Sequence, residues 1–486
     1  MKKKYGLFKV LSILLLLVVV ASYCIKGRQG SISYLALGDV FLNYVQSFYY
    51  FFDTIIFILV VGGFYGFLNK VPAYKKMVEV ISAKISSKEK EKVFIIIMTI
   101  VFALLASLTG LNTILLLFVP FVVSIILLLG YDKLVALSTT IGGVLVGYIG
   151  GILLTFKDAS NQYASSYTTF DKLVGLKSNW SNLFPKILLL VIAVALLIYT
   201  ILNHIKKNNG EKYNLTKHDN LFIETKEKEK KEKTDKSKKK IFLWPLGAVF
   251  GLLLVILVLG YLPWSDLFGI KCFNNFHTWL TGLKIGKYVV FTSLVSSSIT
   301  AFGTWGNLGN FMMAIFFIAL FIFILMLIYK IKFEEAMDGF LYGMKKMLPG
   351  AMLAGFAYCV LVCSYNNGFV ETIITNASKS FGDNAIINSL ITILGSLLNV
   401  DTYYVTAGVF TSMVSALPDK ANLSVYAIMF QSLYGLVQLV GPTSILLIAG
   451  LSYLEVPYKT WLKYIWRFIV ELLILILIVL MVVSLI

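Results

Sequence analysis

Residues 107–113 read SLTGLNT and residues 396–402 read SLLNVDT, and each stretch interrupts a long apolar segment. Both stretches contain Ser-Leu, then an aliphatic residue, then Asn or Asp followed by Thr. The surrounding segments, 93–128 and 386–417, are too long for one membrane span of roughly 20 residues. We therefore predict that each forms a re-entrant helical hairpin. Its polar tip must be buried in protein or line a wet cavity.

Two further landmarks follow each tip in the same order. Asp132-Lys133 and Asp419-Lys420 precede the next apolar segments, and glycine-containing breaks follow at Gly150-Gly151 and Gly441-Pro442. Close packing of small residues would explain single glycines, but not the recurrence of tip, loop and break together. The chain is therefore predicted to contain two inverted-topology repeats, each with a re-entrant hairpin and a broken helix.

The composition restricts the fold to a membrane class. Hydrophobic residues make up 58% of the 486 residues, charged residues make up 14%, and the mean hydropathy is +0.83. Soluble chains carry roughly 25% charge, so soluble enzymes are excluded. We predict an all-α polytopic membrane protein with about 10–11 transmembrane helices. The net charge of +18 comes mostly from lysine in short loops, which the positive-inside rule explains without nucleic acid as a partner.

The lysines also orient the chain. They place the N-terminus and the segment 205–240 in the cytoplasm, and the two halves then have opposite orientations. We expect a multi-pass protein of the bacterial plasma membrane. The charged segment is interpreted as a tether, in preference to a regulatory or membrane-surface role. The predicted organisation is an N-terminal helix and external loop (1–44), a first repeat (45–204), a charged cytoplasmic linker (205–240) and a second repeat (241–486).

The tips and breaks supply the predicted binding residues. Broken helices that converge at the membrane midplane form the substrate and ion sites of secondary transporters, although the same residue types also cap helix ends. Asp401 is distinctive because a midplane carboxylate needs a partner, and a coupling sodium ion would lie near it and Asn112. The predicted substrate- or ion-binding residues are Ser107, Thr109, Asn112, Thr113, Ser396, Asn399, Asp401, Thr402, Thr443 and Ser444.

Several short stretches resemble the anaerobic C4-dicarboxylate carrier (YfcC-like) family of the ion transporter superfamily. They are FILVVGGF at 57–64, LNK at 68–70, LGYD at 129–132, PTS at 442–444, AGL at 449–451 and VPY at 456–458. The resemblance covers roughly residues 45–175 and 333–486. It implies a scaffold with a mobile transport domain, usually a homodimer that works by an elevator movement. The tip at 399–404 differs, because it is bulkier and more acidic than the family's glycine- and serine-rich tip.

These observations predict a secondary active transporter of a small charged organic solute. Asp401 and the presence of only two arginines favour a zwitterionic or cationic substrate such as an amino acid, and the family resemblance adds arginine–ornithine exchange as one form that this transport can take. The alternative is a sodium- or proton-coupled C4-dicarboxylate carrier, since helix N-termini alone can hold a carboxylate. A passive channel is a further alternative. We expect no enzymatic activity, cofactor or metal centre, because catalytic triads, metal clusters and P-loops are missing from the sequence.

Overall fold

The computed structural model describes most of the chain, in thirteen ranges. These are residues 6–25, 34–109, 113–151, 155–157, 163–165, 180–207, 242–256, 264–265, 269–294, 309–366, 368–398, 409–418 and 422–485. Four predicted site residues, Asn112, Asn399, Asp401 and Thr402, lie outside them, as does most of the predicted linker.

The first half contains nine α-helices and a short strand pair within the described ranges. The helices are α1 (Gly6–Ile25), α2 (Leu37–Tyr50), α3 (Phe52–Leu68), α4 (Pro72–Ile85), α5 (Lys88–Thr109), α6 (Val119–Leu128), α7 (Lys133–Leu137), α8 (Gly143–Gly147) and α9 (Trp180–Lys207). A 3-10 helix (Thr113–Leu117) precedes α6, and a π-helical turn (Ser138–Gly142) joins α7 to α8. Strands β1 (Thr155–Lys157) and β2 (Tyr163–Ser165) pair antiparallel.

The second half is also helical. Its described helices are α10 (Trp244–Leu254), α11 (Cys272–Gly282), α12 (Val290–Leu294), α13 (Gly309–Tyr329), α14 (Phe333–Asn366), α15 (Phe369–Phe381), α16 (Ala385–Leu398), α17 (Thr411–Val414), α18 (Leu423–Gln438), α19 (Ile445–Tyr453) and α20 (Tyr458–Leu485). Strands β3 (Lys284–Ile285) and β4 (Tyr288–Val289) form an antiparallel pair before α12.

The helices confirm that the chain is an all-α polytopic membrane protein. Within the described ranges, six helices are long and apolar enough to cross a membrane, or seven if α2 and α3, bent by 62°, form one span. Five shorter apolar helices of 10–17 residues accompany them. Four of these, which are α6, α7 to α8, α16 and α18, lie in the predicted hairpins and broken helices. The total of about 10–11 spans stays a prediction.

Helix α3 of the first half and helix α14 of the second half cross where both have glycine residues. Cβ atoms built at Gly62 and Gly66 of α3 would lie 2.6 and 2.1 Å from the carbonyl oxygens of Gly343 and Gly339 of α14. The numbering falls along one helix as it rises along the other, so the helices are antiparallel. Four glycines, spaced four residues apart in each helix, let the two backbones approach this closely.

The broken helices occupy the interior. Every residue of α18 from Val425 to Gln438 is buried, and so are the π turn and α8. A helix that is apolar all round belongs inside the protein. By contrast, only 28% of the most apolar 18-residue stretch of α20 is buried, as expected for a helix that faces lipid.

Three chain segments that the topology prediction assigns to the cytoplasm meet at one end of the molecule. His204 Nε2 near the end of α9 lies 2.7 Å from Asp132 Oδ2. The His204 ring also packs against Tyr464 of α20, with ring centroids 4.9 Å apart, and Tyr464 OH lies 3.1 Å from Ser138 Oγ. These segments therefore share one side, although which side faces the cytoplasm stays a prediction.

Candidate functional site

The first tip meets the first break directly. Ser107, in the last turn of α5, is fully buried, and its Oγ donates a hydrogen bond of 2.9 Å to the carbonyl oxygen of Gly150. Thr109 turns its hydroxyl back to the carbonyl of Leu105 in its own helix. Thr113 is buried at the start of the 3-10 helix. We call the contact of Ser107 with Gly150 the first junction.

The second half contains the matching contact. Thr443 Oγ1, in the break between α18 and α19, donates a hydrogen bond of 2.8 Å to the carbonyl oxygen of Leu397 at the end of α16. We call this contact, together with its neighbours Ser396 and Ser444, the second junction. In both halves a hydroxyl–carbonyl hydrogen bond thus joins a tip to the break that follows it.

The helices that follow the two predicted tips begin with similar caps. Asp132 caps α7 by accepting a hydrogen bond of 2.8 Å from the amide of Val135. Asn422 caps α18 in the second half, where its side chain accepts from the amide of Val425 at 3.4 Å. Asp and Asn are both favoured as helix caps. Asp419-Lys420, the predicted counterpart of Asp132-Lys133, lies outside the described ranges.

The two broken helices lie against each other. Gln431 Nε2 of α18 donates a hydrogen bond of 2.6 Å to the carbonyl oxygen of Tyr148, just before the first break. A Cβ at Gly435 would lie 2.6 Å from the amide nitrogen of Ile149, and one at Gly450 would lie 2.7 Å from the Ile141 side chain. The first break thus packs against the middle of α18, and α19 packs against the π turn of the first broken helix.

The second junction has polar groups whose hydrogen bonding is incomplete within the described ranges. Ser396 Oγ and Ser444 Oγ are buried and have no hydrogen-bond partner there, and Gln431 Oε1 and Thr139 Oγ1 share this property. An unsatisfied buried polar group costs about 1–3 kcal/mol, and such groups call for an explanation, which a bound ligand can supply. Other buried side-chain atoms of the described residues also have this property, and Ser396 and Ser444 differ from them because the sequence predicted both to bind substrate or ion.

Ser444 also stands at a helix N-terminus. It occupies the N-cap position of α19, yet its side chain makes no capping hydrogen bond. The first amides of a helix have no partner within the helix and carry a partial positive charge. A carboxylate at this point would accept hydrogen bonds from these amides and from Ser444 Oγ. Six of the ten predicted residues therefore have described positions, and four of them, Ser107, Ser396, Thr443 and Ser444, form the two junctions.

Sequence reasoning missed Lys186. This lysine near the start of α9 is fully buried, and its carbonyl oxygen would lie 2.3 Å from a Cβ built at Gly150. Lysine at the edge of an apolar segment usually extends to the membrane surface, so its position gave no signal. No group of three or more His, Cys, Asp or Glu side chains that could hold a metal ion occurs in the ranges described.

Comparison with known proteins identifies one matching family. The family described as C4-dicarboxylate anaerobic carrier matches residues 6–485. Among solved structures, the chain is similar to the YdaH transporter of Alcanivorax borkumensis, whose crystal structure is described as revealing an unusual topology. The identity is 11% and the TM-score 0.41, over 99% of this chain and 98% of that chain. No curated protein matches the sequence.

Proposed function

Because the chain belongs to the C4-dicarboxylate anaerobic carrier family, we propose that it is a secondary active transporter that carries a C4-dicarboxylate across the cell membrane. Membership of this family favours a C4-dicarboxylate substrate over the amino-acid substrate that Asp401 and the scarcity of arginine suggested. The energy would come from a sodium or proton gradient, or from exchange of solutes.

The observation that carries the proposal is the second junction. Ser396 Oγ and Ser444 Oγ are buried hydroxyls without a partner in the described ranges, and Ser444 stands at the N-terminus of α19. Hydroxyl and amide donors at a helix N-terminus match a carboxylate in charge and in hydrogen-bonding capacity. This arrangement needs no arginine, which agrees with the composition.

The remaining predicted residues complete the mechanism. Ser107 and Thr443 hold each tip against its break, so that the ends of the broken helices keep a fixed geometry. Asn112, Thr113, Asn399, Asp401 and Thr402 would surround the substrate or a coupling ion. An elevator movement within a homodimer would carry the site across the bilayer, as the family resemblance implies.

The test is uptake by the purified full-length protein in proteoliposomes. Radiolabelled succinate, arginine and ornithine are offered separately, with and without a sodium gradient and with and without unlabelled solute inside. Saturable succinate uptake that is accelerated by internal succinate supports a dicarboxylate carrier. Saturable exchange of arginine or ornithine without succinate uptake would contradict it, and unsaturable flux without counterflow would indicate a channel.

A further inference from the structure

Two connected cavities lie where helix α14 packs against α1. The first, of about 560 Å³, is lined by the first residues of α1 and α20, by the end of α19 and by Lys346 of α14. The second, of about 430 Å³, lies between α1, α2 and α14. Phe8 and Leu353 line both cavities, so the two form one continuous groove. Volumes of this size are typical of sites for organic ligands.

The groove runs from the membrane surface into the hydrocarbon layer. Helices α1 and α20 are both long and apolar enough to cross a membrane, and the first cavity is lined by the residues at which they begin, Gly6 and Tyr458. This cavity therefore lies near the membrane–water interface. The second cavity extends along α1 from Phe8 to Leu15, which is about 10 Å at 1.5 Å per residue. It thus follows much of one half of a hydrocarbon core about 30 Å thick.

The second cavity is suited to an acyl chain. Its lining is almost entirely apolar and includes Val40 of α2 and Phe356 of α14. Phe8 and Phe41, which also line it, are themselves exposed. The cavity is therefore open sideways to the lipid that surrounds a membrane-spanning protein, and a lipid chain can enter it without crossing the protein.

The first cavity adds a positive charge at the interfacial end of the groove. Lys346 is half-buried, its Nζ lies 5.4 Å from the centroid of the Tyr342 ring, and it forms no ion pair with another described residue. Lysine has three N–H donors, and the face of an aromatic ring does not use all of them. A phosphate group forms strong, charge-assisted hydrogen bonds with such an ammonium. The groove therefore combines a phosphate-binding cation with an apolar channel.

We propose that this groove binds a glycerophospholipid of the surrounding bilayer, with its phosphate at Lys346 and an acyl chain between α1, α2 and α14. A helix from a second copy of the chain could cover the apolar part, but it would leave Lys346 without an anion. The lipid would also contact Leu451 and Ser452 at the end of α19, the helix whose first residues form the second junction. The inference does not depend on the substrate of the transporter.

The test measures lipid binding to the purified full-length protein by native mass spectrometry in a neutral detergent. The probes are palmitoyl-oleoyl phosphatidylethanolamine, whose ammonium can face Glu455 in the same cavity, and the matching diacylglycerol, which has no phosphate. Wild-type protein is expected to bind the phospholipid more tightly. Lys346→Gln should weaken the phospholipid about tenfold and leave the diacylglycerol unchanged, because a charged hydrogen bond is lost. Lys345→Gln is the matched control, since Lys345 is exposed and lines neither cavity.

The apolar part of the groove is tested separately. Leu353→Trp fills the point where the two cavities meet and should weaken the binding of both lipids. Leu348→Trp is the control, because Leu348 is exposed on the same helix and lines neither cavity; it should leave both affinities unchanged. Lys346→Arg keeps the positive charge and should retain the preference for the phospholipid.

Three results would overturn the proposal. The first is equal phospholipid affinity of the wild type and Lys346→Gln. The second is an equal loss in Lys345→Gln, which would indicate unspecific attraction between lysine and phosphate. The third is a change in the number of subunits, visible in the same spectra, without a change in lipid binding, since the groove would then be an interface between copies of the chain. If Leu353→Trp does not fold, the two lysine variants decide alone. Each result is independent of succinate uptake, so failure here leaves the proposed function intact.

Discussion

Replacing Ser444 by alanine is expected to weaken substrate binding without reducing the stability of the fold. Ser444 Oγ is buried and has no hydrogen-bond partner within the described ranges, and it makes no capping contact with α19. In the substrate-free protein the hydroxyl therefore contributes desolvation cost and no hydrogen bond. Its removal should lower the free energy of the folded state or leave it unchanged.

The sizes of both effects can be estimated. An unsatisfied buried polar group costs about 1–3 kcal/mol, so Ser444→Ala gains stability up to that amount. A hydrogen bond to a charged group contributes about 1.5–3 kcal/mol, which corresponds to roughly 10- to 150-fold in the dissociation constant. Stability and affinity should therefore change in opposite directions, as is common at binding sites.

Two measurements on the purified protein in detergent check this prediction. Thermal unfolding reports the stability, and calorimetric titration with succinate reports the affinity. Ser432→Ala is the matched control, because Ser432 is buried in the neighbouring helix α18 and its hydroxyl donates to the carbonyl of Ile428 at 2.9 Å. This control should lose about 1 kcal/mol of stability and keep its affinity. A less stable Ser444→Ala variant with unchanged succinate affinity would refute the reasoning.

Three further predictions concern other parts of the molecule. Gly343→Ala places a Cβ 2.0 Å from the Gly62 carbonyl oxygen, so the variant should lose at least about 1–3 kcal/mol of unfolding free energy, measured by thermal unfolding. The control Gly247→Ala should be tolerated, because Gly247 has open space around it. Equal stability of the two variants would count against the crossing of α3 and α14. Asp132→Ala should lose about 0.5–2 kcal/mol with the helix cap, whereas Asp132→Asn should retain most of it; equal losses in both variants would assign the effect to the His204 contact instead. Asp401→Asn should abolish the ion dependence of uptake, and an unchanged dependence would remove Asp401 from coupling.

Much of the architecture could be predicted because it depends on local composition. Polar interruptions in long apolar segments predict both hairpins, which stay predictions, and the structure joins the helix before each tip to the break that follows it through Ser107 and Thr443. The all-α membrane fold and the family are confirmed. The binding roles of the tip residues stay predictions. The division into two repeats also stays a prediction.

The features that sequence reasoning missed depend on distant contacts. Asp132 and His204 are 72 positions apart, and nothing in either local sequence indicates the other. Lys186 reads as an ordinary flanking lysine, because hydropathy along a chain cannot tell which face of a helix is covered by protein. The helix cap at Asn422 was also missed, because it differs from Asp132 in identity although Asn and Asp cap helices equally well.

The contact between α2 and α14 has a consequence for biosynthesis. Ser47 Oγ donates a hydrogen bond to the Gly355 carbonyl oxygen, 308 positions later in the chain. At about 5–20 residues per second, the ribosome needs on the order of 15–60 s to make the intervening segment. During that time the newly inserted first half must wait in the bilayer without this neighbour.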